Sequence, residues 1–192
     1  MSLVHRLTSY KPTPPQKPLI LLLAGTALFE GIRAGAGTFR VLLDLPARHA
    51  LGPVAFAEFS RATDLSPTGV AFYAIYGFGG AVVTAAAYYA ALRTRAPRSV
   101  RRFLGSACAA SVAILILTTR AAPLVWQVGS VRNEPALLAS LLDRFAWWTA
   151  LRVACADLSF LCVIGAMTTL LLIANMVPAP ARPASANQGG DG

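Results

Sequence analysis

The stretch PLILLLAGTALFEGIRAGAGTFR, residues 18–40, decides the fold because it is apolar over a membrane's thickness and still carries charges. At about 1.5 Å per residue, a helix of this length crosses the ~30 Å hydrocarbon core of a bilayer. A charge at bilayer depth costs about 2.5–3.5 kcal/mol to insert, so such residues usually face a protein interior. The helix repeat places the polar members within an arc of roughly 80°: Glu30, Arg33, Gly37, Arg40 and Asp44. The stretch therefore predicts a membrane helix with one polar face.

The composition of the whole chain indicates a membrane protein with several spans. The 192 residues are 56% hydrophobic and only 13% charged, whereas soluble domains carry about 25% charged residues. The net charge of +9 does not indicate nucleic-acid binding, because many basic residues stand beside apolar spans, where they set topology. The expected partner is the lipid bilayer.

Three further apolar stretches predict an all-α fold, an integral membrane four-helix bundle within one transmembrane domain over residues 18–177. A short amphipathic stretch, residues 53–63, is too brief to span and predicts an interfacial or packed helix between spans one and two. We expect residues 1–17 to form a polar arm and the Pro/Ala/Ser/Gly-rich residues 178–192 to form a disordered tail. The predicted spans cover about 18–40, 68–92, 103–122 and 149–177.

Several boundaries of the predicted helices depend on single residues. The sequence Asp44-Leu45-Pro46 predicts a connector after span one, and Ser66-Pro67 predicts an N-cap for span two. Pro123 and Trp126 predict the outer boundary of span three. The segment capped by Asn133 is either one long helix with span four or a separate interfacial helix before it.

The distribution of basic residues predicts the orientation. The N-terminal arm is basic, and the loop between spans two and three, residues 93–102, carries five arginines and no acidic residue. The other two connectors mix both signs. The positive-inside rule then places both termini and the middle loop in the cytoplasm, in a bacterial plasma membrane.

The cysteines and histidines argue against a metal site or a cofactor. Cys108, Cys155 and Cys162 lie in apolar stretches without a CxxC motif, and His5 and His49 lie outside the spans. This excludes a haem held by two intramembrane histidines and disfavours a histidine-rich metal site. No nucleotide-binding or hydrolase fingerprint is present, so we expect no cofactor.

The polar face of span one has two interpretations. Glu30 and Arg33 are three residues apart and Arg40 and Asp44 are four apart, so each couple can form an ion pair along the helix. In the structural interpretation these pairs only fix the packing of helix one. In the functional interpretation they line a pocket for an anionic or phenolic ligand, with Arg33 as donor and Glu30 as proton acceptor.

Span four carries a second polar face whose charges have no local partner. Trp148 lies one turn from Arg152, so it either stacks on that guanidinium or anchors the helix at the membrane interface. Asp157 points about 140° away from Arg152 and needs a partner on another span, for which Arg33 and Tyr76 are candidates. The members of this face are Arg144, Trp148, Arg152, Cys155, Ser159 and Cys162.

A set of short motifs between residues 20 and 175 resembles a family of small four-span membrane proteins of largely unknown function that includes the anthrone oxygenases. The matching motifs are Leu45-Pro46-Ala47, Phe59-Ser60-Arg61, Pro67, Arg132-Asn133-Glu134 and Trp148-x-x-x-Arg152. The resemblance implies a four-helix membrane fold and, for some members, oxidation of anthrones to anthraquinones without an evident metal or flavin. It marks the Asn133 region and the Trp148/Arg152 element as the corresponding positions. This chain lacks an intramembrane histidine, an obvious proton acceptor.

Two functions follow from these patterns as expectations. In a cofactor-independent oxygenase-like enzyme acting on a lipophilic phenolic substrate, Arg33 and Arg152 bind an enolate or phenolate, and Glu30 or Asp157 takes the proton. Tyr76, Asn133 and Trp148 are then the candidate substrate-binding residues. The alternative is a non-catalytic membrane subunit or scaffold whose intramembrane charges are structural. Small-residue faces such as GIRAG, residues 31–35, would suit a homo-oligomer.

Overall fold

The computed structural model describes residues 16–132 and 134–175, and within these ranges the chain is helical with no strand. Most of the predicted N-terminal arm, Asn133 and the predicted C-terminal tail lie outside the described residues. The elements in chain order are α1 (Gln16–Phe39), a π-helical segment (Arg40–Asp44), α2 (Leu45–Leu51), α3 (Pro53–Thr63), α4 (Pro67–Arg93), α5 (Arg98–Ser130) and α6 (Pro135–Asn175).

Four helical stretches in the described part of the chain are long and apolar enough to cross a membrane. They cover Lys17–Leu51, Pro67–Arg93, Arg98–Ser130 and Pro135–Ala174, with mean hydropathies of 1.6 to 2.0 in their most apolar windows. The predictions of an all-helical fold and of four apolar spans are confirmed. These helices support a multi-pass membrane protein.

The first span does not end in a connector, and that prediction is wrong. The chain stays helical through Arg40–Asp44, where the Leu45 N–H donates to the Arg40 carbonyl five residues earlier, as in a π-turn. The widened turn leads directly into α2, whose first turn contains Pro46, where the missing N–H costs little. Helix α2 ends only at Gly52, whose φ of 80° lies in the region that favours glycine.

The short amphipathic helix and the cap of span two are confirmed. Helix α3 covers Pro53–Thr63, and it buries Phe56 and Ala57 while Phe59 stays exposed. The Gly69 N–H donates to Ser66 Oγ at 3.0 Å, which satisfies one of the free N–H groups that begin α4.

The third and fourth spans are longer than predicted. Helix α5 runs to Ser130 with Pro123 inside it, so the boundary placed at Pro123 is wrong. The segment after residue 134 and the fourth span form the single helix Pro135–Asn175, which settles the alternative left open by the sequence.

The long helices pack as a ring, with α1 against α4 and α6, and α5 against α4 and α6. Two apolar clusters form the core. The cluster at the end of the 94–97 loop includes residues from all four long helices, among them Leu23, Ala87, Leu104 and Val163.

The cluster at the opposite end, which we call the α3 end, contains residues of α2, α3, α5 and α6 but none of α4. The buried residues of α4 all lie in its second half: Gly80, Thr84, Ala87 and Ala91. The first half of α4 therefore stands away from the core and leaves a space inside the ring.

Candidate functional site

A cavity of about 550 Å³, the main cavity, occupies the space beside the first half of α4. Its walls come from all four long helices, including the π-helical segment that follows α1. The wall has apolar side chains, among them Phe72, Phe78, Ile114, Leu115 and Val153. Polar side chains interrupt it, chiefly Arg33, Arg40, Asp44, Tyr73, Tyr76, Thr149 and Arg152.

The predicted ion pair between Glu30 and Arg33 is confirmed and is fully enclosed by protein. Arg33 Nη2 also donates to Ser111 Oγ at 3.2 Å, and Ser111 Oγ lies 3.3 Å from Ser159 Oγ on α6. Arg33 lies on the wall of the main cavity, whereas Glu30 does not. The positive and negative charges of the pair cancel. The hydrogen bonds from Arg33 to Ser111 and between Ser111 and Ser159 connect α1, α5 and α6 at this point.

Gly80 on α4 makes room for this pair. A Cβ atom at Gly80 would lie 2.0 Å from Arg33 Nη1 and 3.1 Å from Glu30 Oε1. A carbon and a nitrogen atom that are not bonded cannot lie 2.0 Å apart. The guanidinium of Arg33 therefore fits against α4 only because residue 80 has no side chain. Nothing in the sequence spacing shows which side chain Gly80 accepts.

Arg40 pairs with Asp64, and the predicted pair with Asp44 is wrong. Arg40 Nη1 donates to Asp64 Oδ1 at 2.6 Å, and Nη2 bonds the other carboxylate oxygen. The cause is tertiary: the α3–α4 turn brings Asp64 against Arg40, where both carboxylate oxygens are available and both side chains are buried. The Tyr73 hydroxyl also donates to Asp64 Oδ1, at 3.1 Å.

Arg152 lines the main cavity and forms no ion pair with any described residue. Among the described residues it has no hydrogen-bond or ion-pair partner. Its guanidinium carbon lies 5.8 Å from the centre of the Tyr73 ring, and that of Arg40 lies 6.0 Å from the same ring. The aromatic partner of Arg152 is therefore Tyr73 rather than Trp148, which packs against the core at the α3 end.

Two more polar groups on the cavity wall have no partner among the described residues. Thr149 Oγ1 is buried without a hydrogen bond. Asp44 is half-buried, and its carboxylate accepts no hydrogen bond from the described part of the chain. Unpaired buried polar atoms are uncommon in proteins, so Thr149 Oγ1 on this wall calls for an explanation.

Asp157 finds its partner on α1, but neither predicted candidate is that partner. The Thr38 hydroxyl lies 3.1 and 3.2 Å from the two carboxylate oxygens of Asp157, whereas Arg33 and Tyr76 make no hydrogen bond with it. Asp157 does not line the main cavity. This contact ties α1 to α6.

The structure brings only some of the predicted site residues to one place. Arg33, Arg152 and Tyr76 line the main cavity, Glu30, Asp157 and Trp148 lie off its wall, and Asn133 is outside the described residues. Sequence reasoning missed Tyr73 and Asp64 as site residues, and gave Asp44 only as half of an ion pair.

Neither a disulfide nor a metal cluster is found within residues 16–132 and 134–175. The three cysteines are free thiols. No group of three or more His, Cys, Asp or Glu side chains in these ranges could hold a metal ion.

Comparison of the chain with protein-family models, with curated proteins and with solved structures finds no match. The resemblance to the anthrone oxygenase family therefore stays a hypothesis, and the argument for function depends on the site itself.

Proposed function

We propose that this chain is a plasma-membrane protein that binds a lipophilic small molecule carrying an anionic or phenolic group in the main cavity. In this proposal the four long helices form a bundle in the bilayer, with both termini in the cytoplasm. The observation that carries the proposal is Arg152, a guanidinium on the wall of a 550 Å³ cavity that forms no ion pair with any of the described residues.

The charge arrangement favours an anionic ligand group. The guanidinium carbons of Arg40 and Arg152 lie 6.0 and 5.8 Å from the centre of the Tyr73 ring. The carboxylate of Asp64 bonds Arg40, whereas Asp44, which lines the same cavity, forms no ion pair with Arg152. A cation enclosed in a membrane protein is costly unless it is paired. An oxyanion of the ligand would supply the missing counter-charge and form a charge-assisted hydrogen bond with Arg152.

The size and walls of the cavity favour a ligand with an apolar body. Pockets that enclose small molecules are roughly 300–1,000 Å³, mostly apolar, with a few polar groups that orient the ligand. The main cavity has this character, since Phe72, Ile114 and Val153 face the same space as Arg152. A fused aromatic ring with one acidic substituent would contact the apolar side chains with its rings and Arg152 with its acidic group.

Binding of three ligands that share one ring system tests this proposal. The full chain is purified in nanodiscs and titrated with 2-naphthoate, 2-naphthol and 2-methylnaphthalene by calorimetry. We expect 2-naphthoate to bind most tightly, followed by 2-naphthol. Equal affinity for the three ligands, or binding of none, would contradict the proposal.

A matched pair of variants locates the binding site. Arg152→Met removes the unpaired charge from the cavity, whereas Arg144→Met removes an exposed arginine two turns earlier on the same helix. Arg152→Met should weaken 2-naphthoate binding by about tenfold or more, the equivalent of one charge-assisted hydrogen bond. Arg144→Met should leave the affinity unchanged.

A second candidate function is cofactor-independent oxidation of a phenolic substrate, and Asp44 favours it. Its carboxylate lines the same cavity as Arg152 and has no hydrogen-bond partner among the described residues. Asp44 would take a proton from the substrate CH₂ group while Arg152 stabilises the resulting enolate. The enolate carbon would react with O₂ and regain a proton to form a hydroperoxide, which loses water to give the ketone. One CH₂ and one O₂ thus yield one C=O and one H₂O.

Oxygen uptake with anthrone as the substrate tests this second candidate. The full chain in nanodiscs should consume one O₂ per anthrone faster than empty nanodiscs do. Asp44→Asn should remove the excess rate, whereas Asp143→Asn, which changes an exposed aspartate, should not. A rate equal to that of empty nanodiscs would refute oxidation of this substrate and leave the binding function to be judged by the naphthalene series.

The non-catalytic alternative is supported by the two enclosed ion pairs. Each of the pairs Glu30–Arg33 and Arg40–Asp64 has no net charge. The first is bonded to Ser111 on α5 and the second joins the π-helical segment to the end of α3, which is what charges with a purely structural role would do. A scaffold of this kind predicts that Arg152→Met keeps its fold and that no naphthalene derivative binds.

A further inference from the structure

A second cavity of about 350 Å³, which we call the vestibule, adjoins the main cavity at the α3 end. The two cavities share Arg40, Asp44, Phe72 and Tyr73 in their walls. The turn between α3 and α4 contributes polar residues to the rest of the vestibule wall: Thr63, Asp64, Ser66 and Thr68 are among its lining residues.

The side chains between the two cavities form one hydrogen-bonded partition. Arg40 comes from the π-helical segment, Asp64 from the end of α3 and Tyr73 from α4, and all three are joined through the Asp64 carboxylate. A π-turn in a helix is often found at a functional site. Here it carries Arg40, which is the only member of the partition on the first span.

The position of Asp64 is set by a close approach of two backbones. A Cβ atom at Gly69 would lie 2.0 Å from the Thr63 carbonyl oxygen. The end of α3 and the first turn of α4 thus meet at van der Waals distance, and the carboxylate that bonds Arg40 is held in that corner. The Ser66 cap fixes the same turn.

We propose that the vestibule is the access route to the main cavity and that the Arg40–Asp64 pair is an anion-selective gate between them. This inference rests on the proposed function for the nature of the molecule that passes. An incoming oxyanion replaces Asp64 on Arg40, so that Arg40 keeps a counter-charge throughout, and then moves to Arg152 on the same ring of Tyr73. A cation cannot make this exchange, because the charged side chains on the main-cavity wall beyond the pair are three arginines, Arg33, Arg40 and Arg152, against one carboxylate, that of Asp44.

Thiol labelling inside the main cavity tests the gate. In a chain with Cys108, Cys155 and Cys162 changed to serine, Ala122→Cys introduces one thiol on the wall of the main cavity but not of the vestibule. The protein in nanodiscs is reacted with an anionic sulfonatoethyl and a cationic trimethylammonioethyl methanethiosulfonate, neither of which crosses lipid. We expect the anionic reagent to react faster than the cationic one.

The gate itself is opened by Asp64→Asn. This change should raise the anionic reagent's rate at least about tenfold, the lower end of the effect of focused charge in a cleft, without raising the cationic rate. Asp143→Asn is the matched control, because it removes a carboxylate that bonds Arg48 at 2.9 Å on the protein surface, and both rates should stay unchanged.

A milder variant keeps the test valid if Asp64→Asn does not fold. Tyr73→Phe leaves the ion pair intact and removes only the hydroxyl that bonds Asp64, so the anionic rate should rise by roughly two- to fivefold. Unchanged anionic rates in the folded variants would overturn the gate. So would a faster cationic rate, or labelling by a neutral, membrane-soluble maleimide alone.

The labelling requires no ligand, so the two proposals fail separately. Normal gating without binding of 2-naphthoate would refute the proposed function. If 2-naphthoate binds at Arg152 but Asp64→Asn does not change the labelling rates, the gate is refuted and the proposed function is not.

Discussion

Gly80→Ala should destabilise the protein because the added methyl group meets the Glu30–Arg33 pair. The new Cβ atom would lie 2.0 Å from Arg33 Nη1 and 2.7 Å from Cζ, so the guanidinium must move. Overpacking costs about 1–3 kcal/mol, and breaking an enclosed ion pair costs about 3–5 kcal/mol. Alanine returns about 1 kcal/mol of helix propensity. Since the pair is displaced rather than removed, we expect a net loss of roughly 3 kcal/mol.

Thermal unfolding in detergent, followed by intrinsic fluorescence, measures this effect. At about 2–4 °C per kcal/mol for a chain of this size, the midpoint should fall by roughly 6–12 °C. Gly77→Ala is the matched control, because it lies three residues earlier on α4 and its Cβ atom would meet nothing within 4 Å. Equal midpoints for the two variants would refute the reasoning.

Three further predictions concern the charges and the topology. Glu30→Gln and Arg33→Leu together should leave the protein folded. Each change alone should destabilise it by about 3 kcal/mol or more, because the remaining partner stays buried and unpaired. The midpoints of thermal unfolding measure this effect. Thr38→Val should cost about 1–2 kcal/mol of unfolding free energy, because Asp157 loses its hydrogen-bond donor. A cysteine at Arg98, in a chain lacking the native cysteines, should not react with a membrane-impermeant maleimide applied to intact cells.

Each of these three has an outcome that contradicts it. Loss of folding in the Glu30/Arg33 double variant, with both single variants folded, would refute the paired-charge interpretation. Thr38→Ser keeps the hydroxyl and should match the parent, so an equal loss in Thr38→Val and Thr38→Ser would contradict a specific role for the hydrogen bond to Asp157. Labelling at residue 98 from outside, with cell integrity verified, would reverse the orientation.

The helices and the local pair on α1 were predictable because they depend on neighbours in the sequence. Apolar runs of membrane length fix the four spans, and the Ser66-Pro67 dipeptide fixes the start of α4. Glu30 and Arg33 are three residues apart, so any helix brings them together. These features need no knowledge of how the helices pack.

The partners of Arg40 and Asp157 were not predictable because they lie far away along the chain. Arg40 bonds a carboxylate 24 residues away, and Asp157 bonds a hydroxyl 119 residues away. A single sequence contains no record of such contacts, and a local partner such as Asp44 is then the natural but incorrect choice. Pro46 and Pro123 misled for a related reason, since a π-turn and neighbouring helices accommodate prolines that would otherwise end a helix.

The main cavity was predictable only in part. Helical spacing places Tyr73, Tyr76, Gly80 and Thr84 on one small, weakly polar face of α4. The second half of this face packs into the core, with Gly80 and Thr84 buried, whereas its first half lines the cavity. Where a helix diverges from its neighbours depends on all of them together, so periodicity in one helix cannot locate a cavity.

A binding cycle tests whether Arg152 holds the oxyanion of an apolar ligand inside the main cavity. Dissociation constants are measured for 2-naphthoate and 2-methylnaphthalene with the parent chain and with Arg152→Met. The account predicts that Arg152→Met weakens only the carboxylate's binding, with a coupling of at least about 1.4 kcal/mol, or tenfold. Equal losses for both ligands, or none for either, would contradict it.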